Sequence, residues 1–156
     1  MAKTLEVGDK APDFTMPTDG GGSVSLADFK GKTLVLYFYP KDSTPGCTTQ
    51  AIGFSQAKAD FEATGAAILG VSKDSVKRHD NFIAKQELTI TLGSDEEGKV
   101  VEDYGVWIEK KNYGRVYMGI DRSTFIIDGK GIIREIWHKV RVKEHVAKVL
   151  EAVSSL

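Results

Sequence analysis

The feature that most constrains this chain is the apolar run Leu34-Val35-Leu36-Tyr37-Phe38-Tyr39, with Gly31-Lys32 before it and Pro40 after it. It falls far short of the roughly 20 apolar residues that a membrane helix needs. Unbroken apolarity over a short stretch, with breakers at both ends, predicts a strand buried on both faces. Directly behind it, Asp42-Ser43-Thr44-Pro45-Gly46 is a dense helix-start signal, and an amphipathic segment runs on to about Thr64. These pieces make a strand-loop-helix unit. A second apolar strand follows over Ala66–Ser72 and a helix from about Ser75 to Gln86. The β-α-β-α order implies an α/β chain, a sheet with helices on both faces.

The flanking segments fit that frame. Asp19-Gly20-Gly21-Gly22 predicts the turn of an N-terminal β-hairpin around Phe14–Met16 and Val24-Ser25. A short strand near Thr89–Leu92 and a helix near Glu97–Tyr104 are expected, then an irregular stretch over Trp107–Gly119 that reads as a loop. Arg122–Asp128 and Ile132–His138 flank the hairpin signal Asp128-Gly129-Lys130-Gly131, and Lys143–Val153 closes the chain as a helix. At 156 residues, 41% hydrophobic and 28% charged, residues 1–156 are expected to form one globular domain. With 21 basic against 22 acidic side chains, nothing favours a nucleic-acid or anionic-membrane partner. The segment Met1–Gly8 lacks an apolar signal core, so a reducing, cytoplasmic setting is expected.

There is one cysteine, Cys47, which excludes an internal disulfide framework or CxxC pair. If Thr44 is the N-cap, Pro45 falls at N1, where its missing N–H costs nothing, and Cys47 falls at N3. A thiolate at N3 faces free backbone N–H groups and the positive end of the helix dipole. A free cysteine is often just a small buried hydrophobe. Cys47 instead has polar neighbours on both sides, Lys41–Gly46 and Thr48–Gln50, which favours a functional thiol. An ordinary thiol, pKa about 8.5, is only about 3% thiolate at pH 7, so lowering that value to about 6 gains roughly 30-fold, or about 2 kcal/mol. An efficient enzyme needs more, from a group that stabilises charge on the bond being broken. A guanidinium suits that task, and Arg122, at the start of the strand Ser123–Ile127, is the candidate by position.

Pro40-x-x-x-Thr44-x-x-Cys47 resembles the active-site motif of peroxiredoxins. The fuller Tyr39-Pro40-Lys41-Asp42-Ser43-Thr44-Pro45-Gly46-Cys47-Thr48 is similar to the bacterioferritin comigratory, or Q-type, subfamily. Gly8-Asp9-Lys10-Ala11-Pro12-Asp13-Phe14, Tyr104-Gly105-Val106-Trp107 and Arg122-x-Thr124-Phe125-Ile126-Ile127-Asp128 extend the match in order across nearly the whole chain. The resemblance implies a thioredoxin-like fold with a central mixed sheet flanked by helices. It also implies thiol-dependent reduction of hydrogen peroxide and organic hydroperoxides. By motif, Cys47 corresponds to the peroxidatic cysteine, Thr44 would hydrogen-bond the thiolate and peroxide, Pro40 would shield the pocket, and Arg122 would orient thiolate and peroxide. No metal, flavin or haem is required, so no cofactor is expected.

Many Q-type members carry a resolving cysteine five residues after the peroxidatic one, and here that position is Ile52. Cys47, Ala51, Phe54, Lys58 and Phe61 share one helical stripe, whereas Ile52 lies about 140° away from Cys47 round the helix. A one-cysteine cycle is therefore expected, regenerated by an external thiol: thioredoxin, glutaredoxin or a small thiol. The chain is expected to act as a monomer. A redox-sensing or interaction protein that passes oxidation from Cys47 to a partner is the alternative. A cysteine hydrolase is weaker, because the sequence offers no particular histidine as its base.

Other signals carry less. Gly31-Lys32-Thr33 resembles the end of a phosphate loop, but Leu26 stands where the first glycine is required and a strand follows. His138 and His145 fall on different elements with no matching acids, so no metal site is expected. His79 reads as a solvated helix residue, and Lys139, Arg141 and Lys143 as a solvated face. Tyr37 and Tyr39 alternate with Leu36 and Phe38, so the two sets should face opposite sides of the sheet. Trp107 and Tyr113–Tyr117 suit either a rim for alkyl hydroperoxides or a cover for the sheet.

Overall fold

The apolar run forms β3 (Thr33–Phe38), the centre of a five-stranded sheet. Preceding it is a small antiparallel hairpin, β1 (Thr15–Pro17) and β2 (Ser23–Ser25), as the glycine-rich turn predicts. Then come α1 (Pro45–Ala63), β4 (Ala66–Ser72), α2 (Val76–Gln86), β5 (Thr91–Ser94) and α3 (Lys99–Asp103). The chain closes with β6 (Trp107–Asn112), β7 (Arg115–Ile120), β8 (Ser123–Ile127), β9 (Ile133–Trp137) and α4 (His145–Ser154). This computed structural model describes residues 5–156; Met1–Thr4, part of the segment read as lacking a signal core, lie outside the described residues. Among the described residues no helix is long and apolar enough to cross a membrane.

The sheet order is β5-β4-β3-β8-β9, with β3, β4 and β5 parallel and β8 and β9 antiparallel to their neighbours. The sheet is therefore mixed. Strand alternation divides the core in two. Leu34, Leu36 and Phe38 pack with the N-terminal hairpin, Val100, Val101 and Tyr104 on one face. Val35, Tyr37 and Tyr39 pack on the other with Cys47, Ala51, Phe54 and Phe61 of α1, Phe82 of α2 and Val149 and Val153 of α4. The expected stripe on α1 is thus buried, except that Lys58 reaches out to donate to the Thr89 carbonyl at 2.9 Å.

Four local departures from the sequence reading have physical causes. The strand expected near Thr89–Leu92 begins at Thr91, because Thr89 is latched to α1: its N–H donates to Ser55 Oγ at 3.1 Å and its hydroxyl to the Ser55 carbonyl at 3.3 Å. Left-handed Gly98 and Glu144 (φ 81° and 63°) prevent α3 and α4 from starting as early as expected. The stretch Trp107–Gly119 is a regular antiparallel hairpin, β6 paired with β7, and not a loop. Its turn places Tyr113 and Gly114 at φ 52° and 75°, the two positive values that a tight hairpin turn requires. Its arms are largely exposed on both sides, so no alternation of apolar and polar residues marks them. Finally, His79 is fully buried instead of solvated.

Helix α4 is fastened to β8 by a 2.8 Å contact between His145 Nε2 and Thr124 Oγ1. Burial, followed by the nearby charges of Lys148 and Arg122, pushes the His145 pKa down to about 4. Between that value and the ordinary 6.5 the unfolded chain binds a proton that the folded chain does not, so stability falls with acidity. We expect His145 to account for about 3 kcal/mol of lost stability between about pH 7 and about pH 4. Urea unfolding at both pH values should show that loss in the parent and a smaller one in His145→Gln.

Candidate active site

The site forms where β3 hands the chain to α1. Tyr39 is the last buried residue of the apolar run, half-buried Pro40 turns the chain out of the sheet, and α1 begins at Pro45. Thr44 occupies the N-cap position with extended backbone and Pro45 is at N1, so Cys47 stands at N3. The Thr44 hydroxyl does not cap the helix. It donates to the Lys41 carbonyl at 2.8 Å and folds the loop back on itself. Its lone pairs remain available to a donor.

Cys47 is 1% exposed. Arg122, on the residue before β8, reaches across to it: Nη2 donates to Cys47 Sγ at 3.3 Å and Nη1 donates to Gln50 Oε1 at 2.7 Å. One guanidinium thereby joins two residues a single turn apart on α1, the geometry for which a planar fork of donors is suited. The Arg122 backbone is held in turn. Its carbonyl accepts from Val140 N–H at 2.9 Å, and neighbouring Asp121 accepts from Ser123 Oγ at 3.1 Å and from Lys139 N–H at 3.2 Å. His138, half-exposed, also faces Asp121, Nδ1 to Oδ2 3.2 Å, so it supports the Arg122 loop.

Two glycines of α1 make these approaches possible. A Cβ on Gly46 would lie 3.2 Å from Arg122 Nη2, and one on Gly53 would lie 3.0 Å from Val146 Cγ2 of α4. Both substitutions would crowd an existing neighbour. Gly46 therefore admits the cation and Gly53 admits the helix that covers α1, although glycine costs about 1 kcal/mol in a helix interior.

The structure brings together Cys47 and Arg122 and sets Thr44 and Pro40 on the loop leading into them. Sequence reasoning missed Gln50, Gly46, Asp42 and His79. A polar residue at a helix position that should be buried, three after the cysteine, was the one signal for Gln50. Gln50 is fully buried, and its Nε2 and the hydroxyl of buried Tyr37 have no hydrogen-bond partner among the described residues. Burial first, then the charges of Cys47 and Asp42, hold the Tyr37 phenol far above its ordinary pKa, so it remains a neutral donor. Lys110 of β6 adds a second cation near the site. Burial pulls its pKa down, Asp121 opposes that, and Arg122 and Cys47 act in opposite directions. Trp107 is half-buried against the first core face with Lys73 Nζ 4.2 Å above its ring, while Tyr113 stands fully exposed at the hairpin tip.

Among the described residues no group of three or more His, Cys, Asp or Glu side chains is arranged to hold a metal ion. The chemistry on offer is that of one sulfur, one guanidinium and a set of fixed hydrogen-bond donors.

Known proteins with this arrangement are close in sequence and in structure. The family model described as AhpC/TSA matches residues 7–136. A putative peroxiredoxin Bcp of Coxiella burnetii is 51% identical over 147 residues, covering 94% of this chain and 97% of the relative. Peroxiredoxin Bcp of Bacillus subtilis is 48% identical over 153 residues, covering 98% of each. The solved bacterioferritin comigratory protein of Xanthomonas campestris, studied for alkyl peroxide reduction, superposes with a TM-score of 0.89 at 42% identity, covering 97% of this chain and 96% of that one. PrxQ of Xylella fastidiosa superposes with a TM-score of 0.92 at 38% identity, over the same shares of the two chains. The mixed sheet and its flanking helices are accordingly thioredoxin-like, and the chain belongs to the AhpC/TSA family as a peroxiredoxin of the bacterioferritin comigratory, or Q, type.

Proposed function

We propose that this thiol-dependent peroxidase works as a one-cysteine enzyme, with Cys47 as nucleophile and Arg122, Thr44 and Pro40 building its pocket. The observation that carries the reading is the 3.3 Å approach of Arg122 Nη2 to Cys47 Sγ, in a site with no second cysteine in the chain. The thiolate attacks one oxygen of a hydroperoxide. A sulfur–oxygen bond forms as the O–O bond breaks, sulfur loses two electrons, and the departing oxygen takes a proton and leaves as water or an alcohol. Arg122 stays charged throughout and offers donors both to the sulfur and to the oxygens where charge develops. Gln50 fixes the guanidinium plane, and the Thr44 hydroxyl lies at the same helix end. Pro40, which has no N–H, limits water at the loop.

The substrates in this reading are hydrogen peroxide and organic hydroperoxides. An external thiol then attacks the Cys47 sulfenic acid, giving a mixed disulfide and water. A second thiol releases Cys47 and carries the disulfide away. Thioredoxin, a glutaredoxin-like protein or a small thiol can fill this role, in a reducing, cytoplasmic compartment. The 156-residue chain acts as one domain and as a monomer, since no step calls for a second copy.

Mixing reduced protein with one equivalent of hydrogen peroxide in stopped flow, followed by intact mass, tests the chemistry directly. We expect rapid gain of one oxygen at Cys47, reversed by added thiol, and no turnover in Cys47→Ser with the fold retained. Turnover remaining in Cys47→Ser would remove the mechanism. Arg122→Ala should slow oxidation by roughly a hundredfold to a thousandfold, and unchanged kinetics would show that the guanidinium does not stabilise the breaking bond. Gln50→Leu, which leaves the guanidinium in place without its 2.7 Å acceptor, should cost less, roughly tenfold.

A further inference from the structure

The loop that delivers Cys47 is tied down by a buried polar cluster that takes no part in the peroxide chemistry. Asp42 is 7% exposed; its Oδ1 accepts from the Tyr39 hydroxyl at 2.5 Å and its Oδ2 lies 2.6 Å from His79 Nδ1. The Asp42 backbone N–H donates to Asp74 Oδ2 at 2.8 Å, and Ser72 Oγ donates to the same oxygen at 2.7 Å. His79 is 0% exposed, and its other nitrogen, Nε2, lies 2.9 Å from the Gly93 carbonyl oxygen of β5. The next loop residue, Ser43, has φ 65°, a left-handed conformation that a side-chain-bearing residue keeps only when its surroundings impose it.

Both nitrogens of His79 therefore face acceptors. A neutral imidazole carries one N–H, so either tautomer would turn a lone pair toward the Asp42 carboxylate or toward the Gly93 carbonyl. The doubly protonated ring donates to both and balances a carboxylate that burial would otherwise leave unpaired. Burial by itself pulls the His79 pKa down. The hydrogen bond and charge of Asp42, the Gly93 carbonyl and the Asp74 charge outweigh it and leave the pKa raised above 6.5. Tyr39 and Asp42 face the ring from the loop after β3, and Asp74 acts on it from the loop after β4. On its own helix Arg78 lies 3.5 Å from Asp74 Oδ1.

We propose that His79 is a positioning residue: as an imidazolium bridging Asp42 and Gly93 it holds the 40–44 loop in the shape that presents Cys47, and its deprotonation releases that loop. The kinetic consequence rests on the peroxidase reading. The clamp itself does not. A raised pKa gives the opposite sign to His145: the clamp is complete below the ordinary imidazole value and is lost as pH rises through the folded one. The pH–rate profile should therefore have an alkaline limb belonging to His79, which never touches substrate.

The test follows oxidation of Cys47 by hydrogen peroxide from about pH 5 to about pH 10 in the parent, His79→Gln and Tyr39→Phe, with the thiolate monitored by its ultraviolet absorbance. Nitrogen NMR of the His79 ring in the parent accompanies it. In the parent we expect the rate per thiolate, read against the ultraviolet signal, to fall on the alkaline side, and both ring nitrogens to be protonated at about pH 6. His79→Gln should lose the alkaline limb and run roughly tenfold to a hundredfold slower at its plateau. Tyr39→Phe removes an Asp42 hydrogen bond but no group that titrates in this range, so it should keep the limb. An alkaline limb that survives in His79→Gln, a parent without one, or a parent ring holding a single proton at about pH 6 overturns the proposal. If His79→Gln does not fold, the NMR of the parent decides. If the parent does not react with peroxide, the peroxidase reading fails, and NMR together with the pH profile of Cys47 alkylation by iodoacetamide still decides the clamp.

Discussion

A sulfur that must be anionic to react and a guanidinium 3.3 Å from it are held where water has little access, and much of the surrounding structure follows from keeping that pair in register. A charged group taken out of water is tolerated only when its partners are fixed. Arg122 is fixed at both ends. Its head group is divided between Cys47 and Gln50, and its backbone is bound through Val140, with Asp121 anchoring the adjoining turn. The helix presents no side chain at Gly46, where one would crowd the guanidinium. The loop on the other side is bound to the sheet through Asp42. The reactive atom thus sits between two loops, each with its own anchorage.

Much of this architecture was legible in the residues. The apolar run, the Thr44-Pro45 helix start and the glycine-rich turn fixed β3, α1 and the first hairpin, because each rests on a local rule that tertiary context did not override. Arg122 was legible by position before strand β8, although its reach to Cys47 was legible only through the family motif, since β8 lies beside β3 only once the sheet has assembled. The β6–β7 hairpin was not legible because exposure on both sides erases the binary pattern that would mark it. Gln50 gave only a weak signal, a polar residue facing the core, whose meaning depends on a partner 72 residues away.

Histidines show the limit most plainly. His79 and His145 are both buried and both lie near the start of a helix, yet the pKa of one is raised and that of the other lowered. The difference lies in what each ring meets across the fold. His79 faces a carboxylate and a carbonyl, which accept; His145 faces a threonine hydroxyl, which can adapt, with Lys148 and Arg122 nearby to repel a proton. Spacing along a helix cannot distinguish these cases.

The latch at Thr89 bears on how long such an enzyme survives. Ser55 and Lys58 bind it from the middle of α1, and Val146 packs against Gly53 just before them, so these anchors all lie beyond the first two turns of the helix. The sulfur is 1% exposed, so in the proposed cycle a peroxide needs only a small displacement around it, whereas a donor thiol on a larger molecule must wait for a wider one. During that wait the sulfenic acid can meet a second peroxide and pass to the sulfinic state, which does not return by thiol exchange. In the proposed cycle the anchorage of α1 therefore bears on the balance between repair and irreversible loss, alongside the concentration of peroxide.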